Sequence, residues 1–231
     1  MLMSPQNLPE NIRQVQERIQ RAAAECGRSV DSVTLLAVSK SQPAEIVRAA
    51  AHAGLCEFGE SYVQEALGKI EALADLPLVW HFVGRIQTNK TRDIAENFSW
   101  VHGIERLRIA ERLSAQRPFH APALNICLQV NLAAEASKGG LAPADVPALA
   151  GQVAALPRLT LRGLMCIPPV DEDKDAQSRR FTELAELLAR LNAGGAHLDT
   201  LSMGMSADLE PAICAGATIV RIGTALFGAR T

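Results

Sequence analysis

Residues 197–224, HLDTLSMGMSADLEPAICAGATIVRIGT, hold the pattern on which the fold turns. A β-type run at 197–202 leads into a Gly/Ser turn, and a helical stretch follows at 207–215. A second β-type run at 217–222 then ends in Arg221-Ile222-Gly223-Thr224. Strand, helix and strand joined by short links form the unit of a parallel sheet. Toward the N-terminus the same alternation recurs. Further β-type runs stand at 33–38, 55–58, 79–83, 99–102, 124–130 and 160–166. Helical stretches separate them at about 43–53, 61–74, 88–97, 105–117, 143–156 and 174–193. The runs at 55–58 and 99–102 are weak by themselves and are accepted on count and spacing. Eight runs, each followed by a helix candidate (the last a short one from Thr224), predict a single α/β (β/α)8 barrel of the TIM type. Ahead of them, Ile12, Val15, Ile19 and Ala22/Ala23 recur at helical spacing before Gly27, which predicts an extra N-terminal helix over about 9–27. No linker or low-complexity segment interrupts the chain, so one barrel domain over 1–231 is expected.

Composition agrees with such a barrel. Apolar residues make up 48% of the 231 and aromatics only 4%, a core of Ala, Leu, Val and Ile suited to helices on a parallel sheet. The net charge is −2 without any basic block, which argues against nucleic acid or an anionic membrane as main partner. Cysteines stand at 26, 56, 127, 166 and 214, an odd count with no C-x-x-C. Five unpaired thiols are therefore expected, with neither a disulfide framework nor a zinc site, as in a reducing cytosol. The five histidines lack metal-ligand spacing, and none is expected near a second histidine with a carboxylate, so no metal is predicted. The sequence has no signal-peptide pattern and no run of membrane-spanning length, and a cytoplasmic location is expected.

Ligand sites in (β/α)8 barrels lie at the C-terminal ends of the strands. Lys40 follows directly on the first β run, in Leu35-Leu36-Ala37-Val38-Ser39-Lys40. A lysine there is either a solvated side chain closing a strand or an imine-forming amine at the barrel mouth. Partial burial favours the neutral amine that attacks a carbonyl. Leu201-Ser202-Met203-Gly204-Met205-Ser206 follows the seventh run and Arg221-Ile222-Gly223-Thr224 the eighth. Loops at these two places recurrently bind phosphate through backbone N–H groups, which glycines let approach closely, and through hydroxyls. Together the three segments point to a phosphorylated carbonyl compound, anchored at one end and bonded at the other.

The strings AVSK at 37–40, FGESYVQE at 58–65, WHFVGRIQTNK at 80–90, SKGG at 137–140, RGLMCIPP at 162–169, LSMGMSADLE at 201–210 and VRIGTALFGAR at 220–230 resemble the pyridoxal 5′-phosphate (PLP) homeostasis protein family. That family has the barrel of the alanine-racemase N-terminal domain, and the resemblance runs from about Lys40 to Arg230. It implies PLP as cofactor, held as an imine on Lys40. Ser202, Gly223 and Thr224 are implied as phosphate ligands, Arg221 as the residue facing the pyridine nitrogen, and Asn89 and Met203 as pocket lining. Two departures stand out. Ser61 replaces the asparagine usual in FGENYVQE, so position 61 receives no binding role, and SKGG replaces SKSG beside Lys138.

Other candidates carry less. His81, within the third run, either contacts the ligand or sits in core or rim. Tyr62 opens a helix and either stacks near the cofactor or, as is rather expected, packs in the core. Lys138 is either a second amine near the mouth or a loop lysine. Arg85, Lys90 and Arg92 read as a solvated rim or a minor anion contact, and the acidic turn 171–175 as a helix start. The leading functional reading is a monomeric PLP carrier and buffer, passing PLP transiently to apo PLP-dependent enzymes. An alternative is a PLP-dependent amino-acid racemase of reduced size. It needs a second proton donor, which the related racemases carry on a C-terminal β-domain, whereas this sequence stops soon after the eighth run. A third is a cofactor-free Schiff-base lyase, for which Glu60 is the one carboxylate near Lys40 at a strand end.

Overall fold

The computed structural model describes residues 7–133, 139–169 and 173–228. Eight strands form a closed parallel barrel in sequence order: β1 (Thr34–Val38), β2 (Glu57–Glu60), β3 (Val79–Phe82), β4 (Trp100–Ile104), β5 (Leu124–Val130), β6 (Leu159–Cys166), β7 (Thr200–Ser202) and β8 (Ile219–Ile222). β8 closes on β1, with Thr34 opposite Ile219 and Ala37 opposite Ile222. The helices are α1 (Leu8–Glu25), α2 (Ala44–His52), α3 (Val63–Ala72), α4 (Thr91–Asn97), α5 (Leu107–Gln116), α6 (Val146–Ala154), α7 (Lys174–Ala193), α8 (Leu209–Cys214) and α9 (Thr224–Phe227). A TIM-type barrel is thus the fold, with α1 as the added helix. None of the described helices is long and apolar enough to cross a membrane.

β2 and β7 both depart from their sequence runs. β2 lies at Glu57–Glu60 rather than 55–58, because Gly54 (φ +96) turns the chain out of α2 and Leu55 packs before the strand begins. Its two glutamates are tolerated inside because each has a partner: Glu57 meets His81, and Glu60 meets Ser39 and Lys69. β7 starts only at Thr200, since His197 adopts φ +26 and the Asn192 side chain holds both the N–H and the carbonyl of Leu198.

α1 buries Leu8, Ile12, Val15, Ile19, Ala22 and Ala23 on one face, which packs on α8 and α9. Four links hold it there. Asn11 donates to the Leu226 carbonyl (2.8 Å), and Arg18 pairs with Glu210 (2.7 Å) and donates to the Ser206 carbonyl. Cys26 is joined to Cys214 by a disulfide. That bond corrects the expectation of five free thiols: docking α1 on α8 brings two cysteines 188 residues apart to a Cα separation of 5.3 Å, within disulfide range. Of the rest, Cys56 is exposed, while burial pushes the Cys127 and Cys166 thiols up to about 12.

Candidate functional site at the barrel mouth

Lys40 sits two residues past the end of β1, half-buried, at the boundary of two cavities. The turn that carries it is gripped from both sides. Ser39 Oγ donates to Glu60 Oε1 (2.6 Å), the Ser39 carbonyl accepts from Lys69 Nζ (2.7 Å), and the Ser41 N–H donates to Glu65 Oε1 (2.6 Å). Lys69 ties the clamp together by donating to Glu60 (2.7 Å) and to Glu65 (2.5 Å). Ser41 itself holds φ +65, a left-handed conformation that a non-glycine residue keeps only under such constraint. Burial pushes the Glu60 carboxyl above its usual value against the pull of Lys69 and Ser39. Rigid backbone on each side of Lys40 fixes where its side chain starts, and so where its amine can reach.

The first cavity, about 300 Å³, lies between Lys40 and the loops after β7 and β8. Arg221, Met205, Ser206, Gly223, Thr224 and Ser61 share its wall with Lys40. The second, about 510 Å³, opens toward the loops after β2 and β3 and is lined by Lys40, Ser61, Tyr62, Arg85 and Lys90 among others. Gly204 shapes the β7 loop: it has φ +92, and a Cβ there would stand 2.6 Å from the Ala212 Cβ. Gly223 brings β8 close to β1, where a Cβ would meet the Val38 carbonyl oxygen at 3.2 Å. The Ser206 hydroxyl, itself on the cavity wall, accepts from the Ala225 N–H (3.2 Å) and so ties the two loops together.

Arg221 is buried, with 6% exposure, yet reaches the cavity. Its Nη1 donates to the Ser202 carbonyl (2.6 Å) and hydroxyl (2.9 Å), and its Nη2 donates to the Cys166 carbonyl (2.8 Å). These acceptors are neutral. Burial lowers the guanidinium from its ordinary value, but an arginine starts so high that it stays charged. A cation is therefore held at the cavity floor by carbonyl dipoles.

Of the residues singled out in the sequence, Lys40, Arg221, Gly223 and Thr224 meet at this cavity. Three others lie elsewhere. Ser202 is fully buried beneath Arg221, its hydroxyl engaged by Arg221 and by His102 Nδ1 (2.7 Å). Met203 is fully buried in the hydrophobic core, because the alternation of the chain leaving β7 turns it away from the mouth. Asn89 is exposed in a 3-10 turn before α4, off the cavity wall. The histidines also differ from expectation: His81 Nδ1 lies 2.9 Å from His102 Nε2, and His81 Nε2 lies 2.5 Å from Glu57, inside the barrel. Neighbouring parallel strands in register bring together side chains 21 residues apart, which linear spacing does not show. Tyr62 is 57% exposed rather than packed, since Val63 takes the buried position at the start of α3. Lys138, like positions 171 and 172 of the acidic turn, lies outside the described residues. Reading the sequence missed Ser61 and Ser206 on the wall and the Glu60–Lys69–Glu65 clamp. Ser206 had a signal in its place within the β7 loop, whereas Lys69 resembles an ordinary i,i+4 partner of Glu65.

The model of the alanine racemase N-terminal domain matches residues 4–231. The pyridoxal phosphate homeostasis protein of Pseudomonas aeruginosa is 61% identical over 223 residues, covering 96% of each chain. Its namesake in Escherichia coli K12 is 49% identical over 227 residues, covering 97% of each. Among solved structures, PipY of Synechococcus elongatus with PLP bound superposes with a TM-score of 0.81 at 38% identity, over 91% of this chain and 100% of that one. A barrel of this form with identity at this level over nearly its whole length leaves no doubt of kinship: the chain belongs to the pyridoxal phosphate homeostasis protein family, built on the barrel of the alanine racemase N-terminal domain.

Proposed function

We propose that this protein holds PLP covalently on Lys40 and serves intracellular PLP homeostasis as a carrier, without turning over a substrate. One observation carries the reading: a single cavity of about 300 Å³ has a half-buried lysine at one side and Arg221, Gly223 and Thr224 at the other. The kinship supports it, since relatives bear the name of PLP homeostasis proteins and one was solved with PLP. The residues fit the group. PLP would supply an aldehyde that condenses with a primary amine, and the clamped turn would hold Lys40 where its amine could reach it. Thr224 and Ser206 offer hydroxyls to a phosphate, and Gly223 lets the backbone come close.

Arg221 would stand against the ring nitrogen. A guanidinium donates but does not accept a proton, so it would leave that nitrogen unprotonated and the ring a weak electron sink. Racemisation also needs an acid and a base on opposite faces of the reacting carbon. Among the described residues lining this cavity, no carboxylate or imidazole accompanies Lys40, and the one phenol that shares a cavity with it, Tyr62, lines the adjoining space. Both features favour storage over turnover. A carrier of this kind works as a monomer in the cytoplasm and releases PLP transiently to apo-enzymes.

The test combines an absorption spectrum of the purified protein with incubation in L- and D-alanine in deuterated water. The expected outcome is a yellow protein whose spectrum shifts with amino acids while the enantiomers stay distinct. Interconversion at rates typical of dedicated racemases, lost in Lys40→Ala, would make the enzyme reading correct.

A further inference from the structure

Five polar groups run in line through the barrel, from the start of β2 to the cavity floor, and only the last has a role so far. Glu57 lies 2.5 Å from His81 Nε2, and His81 Nδ1 lies 2.9 Å from His102 Nε2. His102 Nδ1 in turn lies 2.7 Å from Ser202 Oγ, which accepts from Arg221 Nη1 at 2.9 Å. His81, His102 and Ser202 are buried to within 1% of complete. Trp100 stacks on the His81 ring, with centroids 5.4 Å apart and planes 4° from parallel. A polar line through the middle of an apolar core is costly unless every member is satisfied.

The two ends set the direction of every bond. Glu57 as a carboxylate only accepts, so His81 Nε2 carries a hydrogen and, in a neutral ring, Nδ1 does not. His81 Nδ1 must then accept from His102 Nε2–H, which leaves His102 Nδ1 bare. At the other end Arg221 only donates, so Ser202 Oγ accepts from it, and the hydroxyl hydrogen goes to His102 Nδ1. The chain closes with both imidazoles neutral and no donor facing a donor. Burial lowers the proton affinity of both rings, in keeping with that state. The opposite order requires a protonated Glu57 or a charged His81, and it takes from the Ser202 hydrogen its acceptor beside a guanidinium.

We propose that His102, backed by His81 and Glu57, is the positioning residue for Arg221. By taking the Ser202 hydrogen it turns the oxygen's lone pairs to the guanidinium, and so holds the cationic donor in one orientation at the cavity floor. The role rests on Arg221 being the ring-nitrogen partner of PLP. It also removes Ser202 from the phosphate ligands, because its hydroxyl hydrogen is already committed to His102.

Nitrogen-15 NMR of histidine-labelled, full-length protein without added ligand reads the chain directly. The expected spectrum near neutral pH has His81 and His102 neutral and protonated at Nε2. A hydrogen on His102 Nδ1 would overturn the proposal. The second measurement compares PLP binding and the absorption of bound PLP in His102→Leu and His102→Asn. Leucine fills the space without an acceptor, whereas asparagine is smaller but keeps an oxygen near the Nδ1 position. Positioning predicts PLP bound about tenfold more weakly with a shifted spectrum in the leucine variant, and substantial recovery with asparagine. The reverse order, leucine outperforming asparagine, would reduce His102 to core filling and refute the proposal. Should the leucine variant not fold, the tautomers and the asparagine variant decide. If the wild-type protein takes up no PLP at all, the proposed function fails, while the tautomers still report on the chain.

Discussion

Lowering the pH from about 7.5 to about 5.5 is expected to destabilise the fold through His81 and His102. Both are buried, and burial holds both below the ordinary histidine value of 6.5, His102 well below it. Unfolding returns them to water, where they titrate normally. In this window the unfolded chain therefore binds more protons than the folded one, so stability rises with pH and is lost on acidification. A histidine that stays neutral in the fold forfeits about 1.4 kcal/mol over that span, so the pair accounts for at most about 2.7 kcal/mol. His81 contributes less than His102, because Glu57 pulls its proton affinity back up. Glu60 works the other way: its raised carboxyl favours the fold as the pH falls, and the measured loss is the difference. Urea denaturation at half-unit steps across the window gives the profile, and His102→Asn should flatten it. A wild-type stability that is level, or that increases on acidification, would refute the assignment of two buried neutral imidazoles.

Lys69→Met should cost about 3–5 kcal/mol in urea unfolding, since it strands the Glu60 carboxylate without a cation, and Glu60→Gln in the same chain should recover part of that loss. Ser206→Ala and Thr224→Ala should each weaken PLP by about 1.5–3 kcal/mol while leaving pyridoxal, which has no phosphate, little affected in equilibrium titrations. Reducing the Cys26–Cys214 disulfide should cost at most about 5 kcal/mol, the chain-entropy value for a loop closed across 188 residues, and Cys26→Ser should make stability indifferent to dithiothreitol.

The barrel was legible because its strands are short, buried and regularly spaced, and because the final βαβ unit is nearly free of ambiguity. α7 was found end to end, since its apolar positions repeat over a long stretch with a capping Asp173 ahead. Strands carrying charged residues were harder. β2 reads as EFGE, and only the fold reveals that Lys69 pairs with Glu60 and that His81 hydrogen-bonds Glu57. At the site, Lys40, Arg221, Gly223 and Thr224 were visible because each sits where a strand ends. Ser202 was visible too, but which way its hydroxyl points depends on His102, 100 residues away. Such links were hidden by distance along the chain. So was the disulfide, for which neither cysteine carries a local signature.

Borohydride reduction followed by peptide mass mapping tests the central claim most directly. Lys40 is the amine at the cavity boundary, held by a clamped turn opposite Arg221, Gly223 and Thr224. The protein, loaded with PLP and reduced, should gain one phosphopyridoxyl group, found on the peptide that contains Lys40, and Lys40→Ala should gain none. A label confined to other lysines, or an Lys40→Ala protein that is yellow and labelled like the wild type, would contradict the account.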